Sequence, residues 1–383
     1  MGSVVDLLEN FLTPSCVIGV LVVLGYALSR VRFFGMSLDL SAVLIVSITL
    51  GVFMSLFPNI NLGGRQIVLY DDTFSANLKF LSSIGTALFV SVIGISSGYQ
   101  LAERKSKKAW AFFFIGVVGI LANFALMNLV VFLDKGMDRE VMYGIFCGAI
   151  TSTPGLAAVC DNIGTNAPLA VGGYGISYLF GVLGVVLFVQ IASRKSENTT
   201  SHQTTICESP EEKRTVFSAC KDVAVVIVTG CFLGAFTIPY VNLSLGASGG
   251  MLLSGLVIGY ICARRKRKIS KDRLDTIRNI GLISFFIGRG IPAGVELLSC
   301  FSVKSVLYGM ILTVVPIFLS WGFTNLITRN RGTVLSVVCG NMTSTPAIGV
   351  LMHSRKAETD MMAYSMSYIG ALITIVVTIN FVL

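Results

Sequence analysis

One short sequence motif occurs twice in this chain, each time within a long apolar stretch. Residues 147–154 read C-G-A-I-T-S-T-P, and residues 339–346 read C-G-N-M-T-S-T-P. Proline lacks a backbone donor and clashes with the preceding turn, so each copy predicts a break in a helix. In a membrane, such a break survives only where protein or a water-lined cavity meets the freed backbone groups. The chain is therefore expected to enclose two matching helix breaks.

The composition indicates that lipid surrounds these breaks. Hydrophobic residues make up 54% of the 383 residues, charged residues make up 13%, and the mean hydropathy is +0.80. A soluble protein of this size cannot bury so much apolar surface, which predicts a polytopic membrane protein. The first fifteen residues lack a basic segment ahead of the first apolar run, so no cleavable signal is expected. The nine scattered cysteines are expected to pack as small hydrophobic residues.

Apolar runs of spanning length form two sets of five. The first set lies near 13–30, 38–57, 80–100, 109–133 and 170–192, and the second near 217–236, 245–262, 279–300, 304–327 and 361–382. A polar segment between the sets is too short for a folded domain. The predicted organisation is a first membrane repeat at 1–192, a cytoplasmic linker at 193–215 and a second membrane repeat at 216–383.

Two further blocks repeat in the same order as the duplicated phrase. The pattern I-G-x3-F-x4-G-I-x2-G occupies residues 84–98 and again residues 280–294. The pattern Y-x-x-S-Y occupies residues 174–178 and again residues 364–368. Three matched blocks at nearly constant spacing indicate an internal duplication.

The basic residues predict how the two halves are oriented, because cytoplasmic loops collect Lys and Arg. With an external N-terminus and re-entrant motif segments, the inside loops hold 23 of the 29 basic residues. If the motif segments crossed fully, one of the two densest basic loops, at 103–108 or 264–273, would lie outside. An odd number of spans per half inverts the second half. The predicted fold is an all-α polytopic membrane protein with two inverted repeats, each of about five transmembrane helices plus one re-entrant or broken helical hairpin.

The two hairpins are the leading candidates for a substrate site. A helix end within the membrane presents free N–H groups and a positive dipole end, which suits an anion. Neighbouring hydroxyls can donate to a carboxylate, although they can also simply satisfy local backbone or join helices. The candidate residues here are Thr151, Ser152, Thr153, Pro154, Asn341, Thr343, Ser344, Thr345 and Pro346.

Arg289 is the second candidate, because an arginine within a membrane span is costly. Its forked guanidinium suits a substrate carboxylate, while snorkelling to the interface or pairing with Glu296 are the alternatives. Further candidates for the substrate path are Ser96, Ser97, Tyr178 and Tyr368. Helix packing or an interfacial aromatic role would explain these four residues equally well.

Several classes of function lack their sequence signals. The spans contain no run of Asp, Glu or His for a proton relay, and the chain has no phosphate-binding glycine loop or metal-ligand spacing. No cofactor, metal site or nucleic-acid partner is expected. A membrane enzyme would need an activated nucleophile or a metal cluster. Na⁺ stays open as a partner, because backbone carbonyls and hydroxyls at the breaks can bind it without a charged residue.

The duplicated G-x-x-T-S-T-P hairpins, the I-G-x3-F-x4-G-I-x2-G spans and the two-half arrangement resemble the aspartate:alanine exchanger family of bacterial membrane transporters. The resemblance covers nearly the whole membrane part. It implies inverted repeats, frequent dimers and exchange of acidic amino acids or dicarboxylates at residues 151–154 and 343–346. Two features differ from the family: a short linker replaces the large cytoplasmic regulatory insert, and Leu179 and Ile369 replace a proline that many members carry.

The sequence therefore predicts a multi-pass protein of the bacterial inner membrane, a secondary active antiporter rather than an enzyme. The expected substrates are small carboxylates such as acidic amino acids or C4-dicarboxylates, moved by alternating access. A sodium-coupled carboxylate symporter of similar broken-helix design is the main alternative, and a passive channel is a further one.

Overall fold

The computed structural model of the protein is almost entirely helical in the residues that it describes. These are residues 13–30, 32–33, 36–37, 40–62, 65–103, 107–134, 136–194, 216–235, 237–238, 243–244, 246–267, 269, 271–344, 347–348, 350–351 and 360–383. Most of the predicted linker, as well as the candidates Thr345 and Pro346, lie outside the described residues. The predicted fold class, an all-α polytopic membrane protein, is confirmed.

The described helices follow the duplicated pattern. Those of the first half are α1 Pro14–Ser29, α2 Ser41–Leu56, α3 Asp72–Glu103, α4 Lys107–Leu133, α5 Arg139–Ala149, α6 Thr153–Ile163 and α7 Ala167–Arg194. Those of the second half are α8 Val216–Ala235, α9 Gly246–Arg264, α10 Lys271–Cys300, α11 Val303–Ile327, α12 Arg331–Asn341 and α13 Met361–Val382. The described residues 347–348 and 350–351, after α12, are also helical. The two arms of hairpin 1 are α5 and α6, and hairpin 2 consists of α12 and the helical residues after it.

Three short antiparallel ribbons join successive helices, and the sequence did not predict them. Strands β1 (Arg32–Phe33) and β2 (Met36–Ser37) lie between α1 and α2, and β3 (Asn59–Leu62) and β4 (Arg65–Val68) lie between α2 and α3. Strands β5 (Thr237–Ile238) and β6 (Leu243–Ser244) lie between α8 and α9. They are loop features and leave the helical architecture unchanged.

Helix length supports eight of the ten predicted spans. Among the described residues, eight helical stretches are long and apolar enough to cross a membrane, and they correspond to the third through tenth predicted spans. Helices α1 and α2 are shorter, at 16 residues each. Such a helix is about 24 Å long, whereas the hydrocarbon core is about 30 Å thick.

The two halves interlock through their third spans. Helix α3 packs against α9 and α10, while α10 also packs against α2. Glycines of the repeated I-G-x3-F-x4-G-I-x2-G pattern allow these contacts: a Cβ atom on Gly98 would come within 2.7 Å of the Leu256 carbonyl carbon, and one on Gly294 within 2.8 Å of the Gly51 Cα. Each third span therefore touches the second span of the other half, as two inverted copies of one unit require.

Candidate functional site

Hairpin 1 turns through a helix stop followed at once by a helix start. Helix α5 ends with the Thr151 N–H donating to the Gly148 carbonyl (2.9 Å) and the Ser152 N–H donating to the Cys147 carbonyl (2.8 Å). This is the Schellman pattern, whose left-handed residue is usually glycine. Here Thr151 takes that conformation, with φ 55°.

The next helix begins one residue later. The Ser152 hydroxyl caps α6 by accepting the Gly155 N–H at 3.2 Å. Pro154 lies in the first turn of α6, where a missing N–H costs nothing. The predicted break is therefore confirmed, and its proline starts a helix rather than interrupting one.

Hairpin 2 repeats this geometry. Thr343 has φ 46°, its N–H donates to the Gly340 carbonyl (3.0 Å), and the Ser344 N–H donates to the Cys339 carbonyl (3.0 Å). The Ser344 hydroxyl accepts the Ala347 N–H at 3.4 Å. A left-handed conformation costs a β-branched residue about 1–3 kcal/mol. Both copies bear this strain at the same threonine, although glycine would avoid it.

Both hairpins return to the end at which they began. The Asn166 amide, after α6, donates to the Glu140 carboxylate at the start of α5 (3.2 Å). Asp360, just before α13, accepts the Thr333 hydroxyl (3.1 Å), and its N–H donates to the Ser336 hydroxyl (3.0 Å). Both segments are therefore re-entrant, as the charge distribution predicted.

The bases of the two hairpins lie at opposite ends of the bundle. Helix α7 starts at the base of hairpin 1, and its last turn contributes Ile191 to a cavity of about 530 Å³ with Arg331, at the base of hairpin 2. Helix α13 starts at the base of hairpin 2 and ends with Val382 in a cavity of about 580 Å³ with Arg139, at the base of hairpin 1. The hairpins therefore enter from opposite sides.

The two tips meet through reciprocal hydrogen bonds. The Thr151 hydroxyl donates to the Met342 carbonyl at 2.8 Å, and the Thr343 hydroxyl donates to the Ile150 carbonyl, also at 2.8 Å. These threonines are less than a tenth exposed, and Ser152 and Ser344 are fully buried. In this conformation the predicted hydroxyls of these four residues form hydrogen bonds within or between the tips, and the tips are packed together.

The Y-x-x-S-Y blocks hold each hairpin against the last span of its half. The Ser177 hydroxyl donates to the Ile145 carbonyl (2.9 Å), and its counterpart Ser367 donates to the Val337 carbonyl (3.1 Å). The rings of Tyr174 and Tyr178 stack at 5.1 Å, and those of Tyr364 and Tyr368 lie 5.8 Å apart. The candidates Tyr178 and Tyr368 are half-buried.

Thr153, the last hydroxyl residue of the first motif copy, is only partly buried. Its hydroxyl lies 3.2 Å from the Tyr174 hydroxyl. The candidates Ser96 and Ser97 lie on α3, where Ser96 is half-buried and Ser97 is buried.

Polar side chains on neighbouring helices support the tips, and most of them were not predicted. The Asn341 amide bonds to the Ser320 hydroxyl on α11 and is fully buried. Pro316 leaves the Leu312 carbonyl without its helical donor, and the buried Asn123 amide of α4 donates to it at 3.3 Å. Thr313 donates to the Ala149 carbonyl at the end of α5 (3.2 Å). A proline in a predicted span was the signal that an outside donor would be needed.

Arg289 lies on α10, is half-buried, and has a buried Nε atom without a hydrogen-bond partner. Its positive charge is within electrostatic range of Cys160 and Asp161, near the C-terminal end of α6. Cys160 is seven residues, or about two helical turns, beyond Thr153. The fold therefore brings Asp161 within electrostatic range of Arg289, the predicted anion-binding residue.

The comparison with known proteins agrees with this architecture. A family model described as "Predicted Permease Membrane Region" (Asp-Al_Ex) matches residues 17–194 and 222–383. The chain is 34% identical over 171 residues to an uncharacterized transporter of Bacteroides fragilis, a stretch that covers 45% of this chain and 28% of the relative. It is 31% identical over 191 residues to an uncharacterized transporter of Corynebacterium glutamicum, covering 48% and 32%.

The matched stretches therefore span less than a third of these relatives. The family model nevertheless covers both halves, including both hairpins. Together with the helical architecture, this match shows a multi-pass membrane protein of a transporter family rather than an enzyme family. The chain belongs to the aspartate:alanine exchanger family of membrane transporters.

Proposed function

We propose that this transporter exchanges small carboxylates, such as acidic amino acids or C4-dicarboxylates, by alternating access around the hairpin tips. The observation that carries the proposal is the pair of hydrogen bonds from Thr151 to Met342 and from Thr343 to Ile150. Two hairpins from opposite sides share one meeting point there, so a solute bound at this point can be exposed to either side in turn.

The same bonds provide a reason for exchange rather than net transport. When the site is empty, each threonine hydroxyl is satisfied by the other tip, which latches the hairpins together. A carboxylate accepts hydroxyl hydrogens as well, so a bound substrate replaces the carbonyls and releases the latch. Each bond contributes about 0.5–1.5 kcal/mol, and two of them favour the closed empty state by roughly 10- to 100-fold. The empty carrier therefore reorients slowly and the loaded one quickly.

Arg289 supports the choice of an anion. Its half-buried guanidinium has a buried Nε atom without a hydrogen-bond partner. A substrate carboxylate would pair with this guanidinium through two parallel hydrogen bonds.

The cellular setting follows from the charges and the family. We place the protein in the bacterial inner membrane with the segment 193–215 in the cytoplasm, between repeats at 1–192 and 216–383. The basic loops, which contain 23 of the 29 Lys and Arg residues, then face the cytoplasm. A homodimer is part of the proposal by family resemblance.

Transport in proteoliposomes tests the proposal. Labelled aspartate or succinate should enter only vesicles that are preloaded with unlabelled substrate, whether or not a Na⁺ gradient is present. Uptake into empty vesicles that requires a Na⁺ gradient would instead establish the sodium-coupled symporter. Conductance through single proteins in a planar bilayer would indicate a channel.

Variants of Arg289 test the anion site in the same vesicles. Arg289→Ala should abolish exchange and Arg289→Lys should retain part of it, because lysine keeps the charge but not the fork. Arg264→Ala is the matched control, since Arg264 is exposed and contacts only Tyr260 among its described partners. Full exchange by Arg289→Ala would make Arg289 a structural residue.

A further inference from the structure

The cavities at the bases of the two hairpins are built alike. The cavity of about 530 Å³ lies between the C-terminal parts of α7 and α11 and the start of α12, where Arg331 and Asn325 line it. We call it the Arg331 cavity. The cavity of about 580 Å³, the Arg139 cavity, has Arg139 and Asn128 at the equivalent places of α5 and α4, beside the end of α13. The duplication has therefore produced one such cavity at each end of the bundle.

The Arg331 cavity changes from polar to apolar along its length. Arg331 is the first residue of α12 and Asn325 lies in the last turn of α11, so both are at the end of the bundle. Phe318 lies seven residues before Asn325, which places it about 10 Å deeper along α11. Its ring packs edge-on against Phe188 of α7, with the ring centres 5.7 Å apart, and both rings line the cavity. A charged end and an aromatic interior suit an amphipathic ligand.

The same cavity opens sideways onto the surface that faces lipid. Three of its lining residues, Ile191, Phe318 and Trp321, are 63%, 55% and 44% exposed. They lie on two of the helices that are long and apolar enough to span the membrane, where exposed apolar side chains meet acyl chains. Tryptophan is typical of the level at which the hydrocarbon region meets the headgroups. A lipid can therefore enter this cavity from the bilayer itself.

Charge distinguishes the two cavities. Among the described residues that line the Arg331 cavity, Arg331 is the one ionisable side chain, and Arg329 adds a second exposed positive charge to the same loop. In the Arg139 cavity, Glu140 is part of the lining and offsets the charge of Arg139. Arginine forms two parallel hydrogen bonds with a phosphate group. Of the two cavities, the Arg331 cavity is therefore the one that suits a phosphate.

We infer that the Arg331 cavity binds an anionic phospholipid. The phosphate pairs with the Arg331 guanidinium. It also accepts a hydrogen from the Asn325 amide, which uses only one of its two hydrogens on the Trp321 carbonyl, at 2.7 Å. One acyl chain lies along Phe188 and Phe318. Which leaflet supplies the lipid rests on the orientation given in the proposed function, under which this end faces the cytoplasm, where anionic headgroups attract basic residues.

The bound lipid contacts both halves of the protein. It touches α7 of the first half and α11 and α12 of the second, so it joins the last span of one half to the base of the hairpin of the other. A ligand that binds the folded state and not the unfolded one raises stability. Anionic phospholipid should therefore raise the melting temperature of the protein in detergent.

The test titrates the purified full chain in detergent with phosphatidylglycerol or with phosphatidylcholine of the same acyl chains. Native mass spectrometry counts the bound lipid, and thermal shift gives the melting temperature. The wild type should bind phosphatidylglycerol at least about tenfold more tightly, because a hydrogen-bonded charge pair contributes about that factor or more. Glycerol 3-phosphate, which has the phosphate but no acyl chain, should not raise the melting temperature at the same concentrations.

Variants locate the bound lipid. Arg331→Ala should lose most of the preference for phosphatidylglycerol, and Arg331→Lys should retain part of it, because lysine keeps the charge but not the fork. Arg139→Ala, at the equivalent place in the other cavity, is the matched control and should keep the full preference. Trp321→Ala should weaken the binding of both lipids several-fold and by a similar factor, since it removes apolar contacts only.

Four results overturn the inference: equal binding of the two phospholipids by the wild type, an unchanged preference in Arg331→Ala, an equal loss of preference in Arg139→Ala, or stabilisation by glycerol 3-phosphate as strong as that by phosphatidylglycerol. The last of these would indicate a site for a soluble anion. If Arg331→Ala does not fold, an unchanged preference in Arg331→Lys overturns the inference instead. Substrate exchange is measured separately in proteoliposomes, so each of these results leaves the proposed function standing.

Discussion

Thr151 and Thr343 occupy equivalent turns in opposite hairpins, and each donates its hydroxyl to the carbonyl of the residue that precedes the other. Both have positive φ values, 55° and 46°, in a region that threonine rarely adopts. Glycine would fit either turn with less strain, but it would remove the hydroxyl. The strain therefore accompanies a contact that only a hydroxyl residue can make here.

Replacing both threonines by glycine should uncouple exchange. The variant Thr151→Gly with Thr343→Gly relieves backbone strain of about 1–3 kcal/mol per site and removes both tip-to-tip bonds. We expect the protein to fold, and the empty carrier to reorient roughly 10- to 100-fold faster. Efflux of labelled substrate into buffer without a counter-substrate measures this directly, because the wild type should release almost none.

The serine pair, Thr151→Ser with Thr343→Ser, is the control, since it keeps both hydroxyls and should stay coupled. If the glycine pair still requires counter-substrate for efflux, then these bonds are not the latch.

Gly148 should not tolerate alanine. A Cβ atom there would come within 2.6 Å of the Tyr174 carbonyl oxygen and would also collide with the Ser177 hydroxyl, which holds α7 against hairpin 1. Such overpacking typically costs about 1–3 kcal/mol. The melting temperature in detergent should fall by several degrees for Gly148→Ala. Gly322→Ala is the control, because nothing lies within 4 Å of a Cβ atom at Gly322. A fall of equal size in both variants would contradict the packing argument.

The sequence predicted the hairpins well because their signals are local. Pro154 and the hydroxyls beside it determine where one helix ends and the next begins, and these signals lie within four residues of one another. Because the motif is duplicated, the second break could be predicted from the first without further information. The inversion followed from Lys and Arg, whose distribution reports the side of the membrane rather than any contact.

The sequence could not assign partners to the polar groups. Thr151 was predicted to meet substrate, yet its hydroxyl bonds to a backbone carbonyl 191 positions away, and every residue supplies such a carbonyl. Asp161 had no predicted partner near it in the sequence, because Ser248, whose N–H it accepts, comes from the other half. Such contacts depend on how α6 and α9 pack, which periodicity does not specify.

Cysteines that replace the capping serines Ser152 and Ser344 should be labelled from opposite sides of the membrane. In a background without the native thiols, Ser152→Cys should react with an impermeant maleimide from the side of hairpin 1, and Ser344→Cys from the opposite side. Both serines are fully buried in this conformation, so labelling requires the tips to open. Saturating substrate should change both rates.

Two controls accompany this experiment. The cysteine-free parent should not react, and a cysteine at the exposed position 220 reports reaction that needs no opening. Labelling of both capping positions from the same side would contradict the inverted arrangement.

The carboxyl group of Asp134, at the base of hairpin 1, should make the stability of the protein depend on pH. Its carboxylate accepts the Lys304 ammonium (2.9 Å) and the Tyr308 hydroxyl (2.8 Å), both on α11, and also the Gly136 N–H (3.2 Å). These bonds, that of Lys304 foremost, lower the pKa of Asp134 below its ordinary 3.8. A carboxyl whose pKa is lower in the folded state stabilises the protein above its ordinary pKa, and this contribution disappears as the pH falls through the folded-state value.

At pH 7, Asp134→Asn should therefore lower the melting temperature, by only about one or two degrees because the pair faces solvent. The difference from the wild type should persist to about pH 4 and shrink below the ordinary pKa of 3.8. Lys304→Met should produce a similar loss, and the double variant should lose little more than either single one, since both remove the same pair. A difference that stays constant from pH 7 to pH 3 would mean that Asp134 acts through its shape and not its charge.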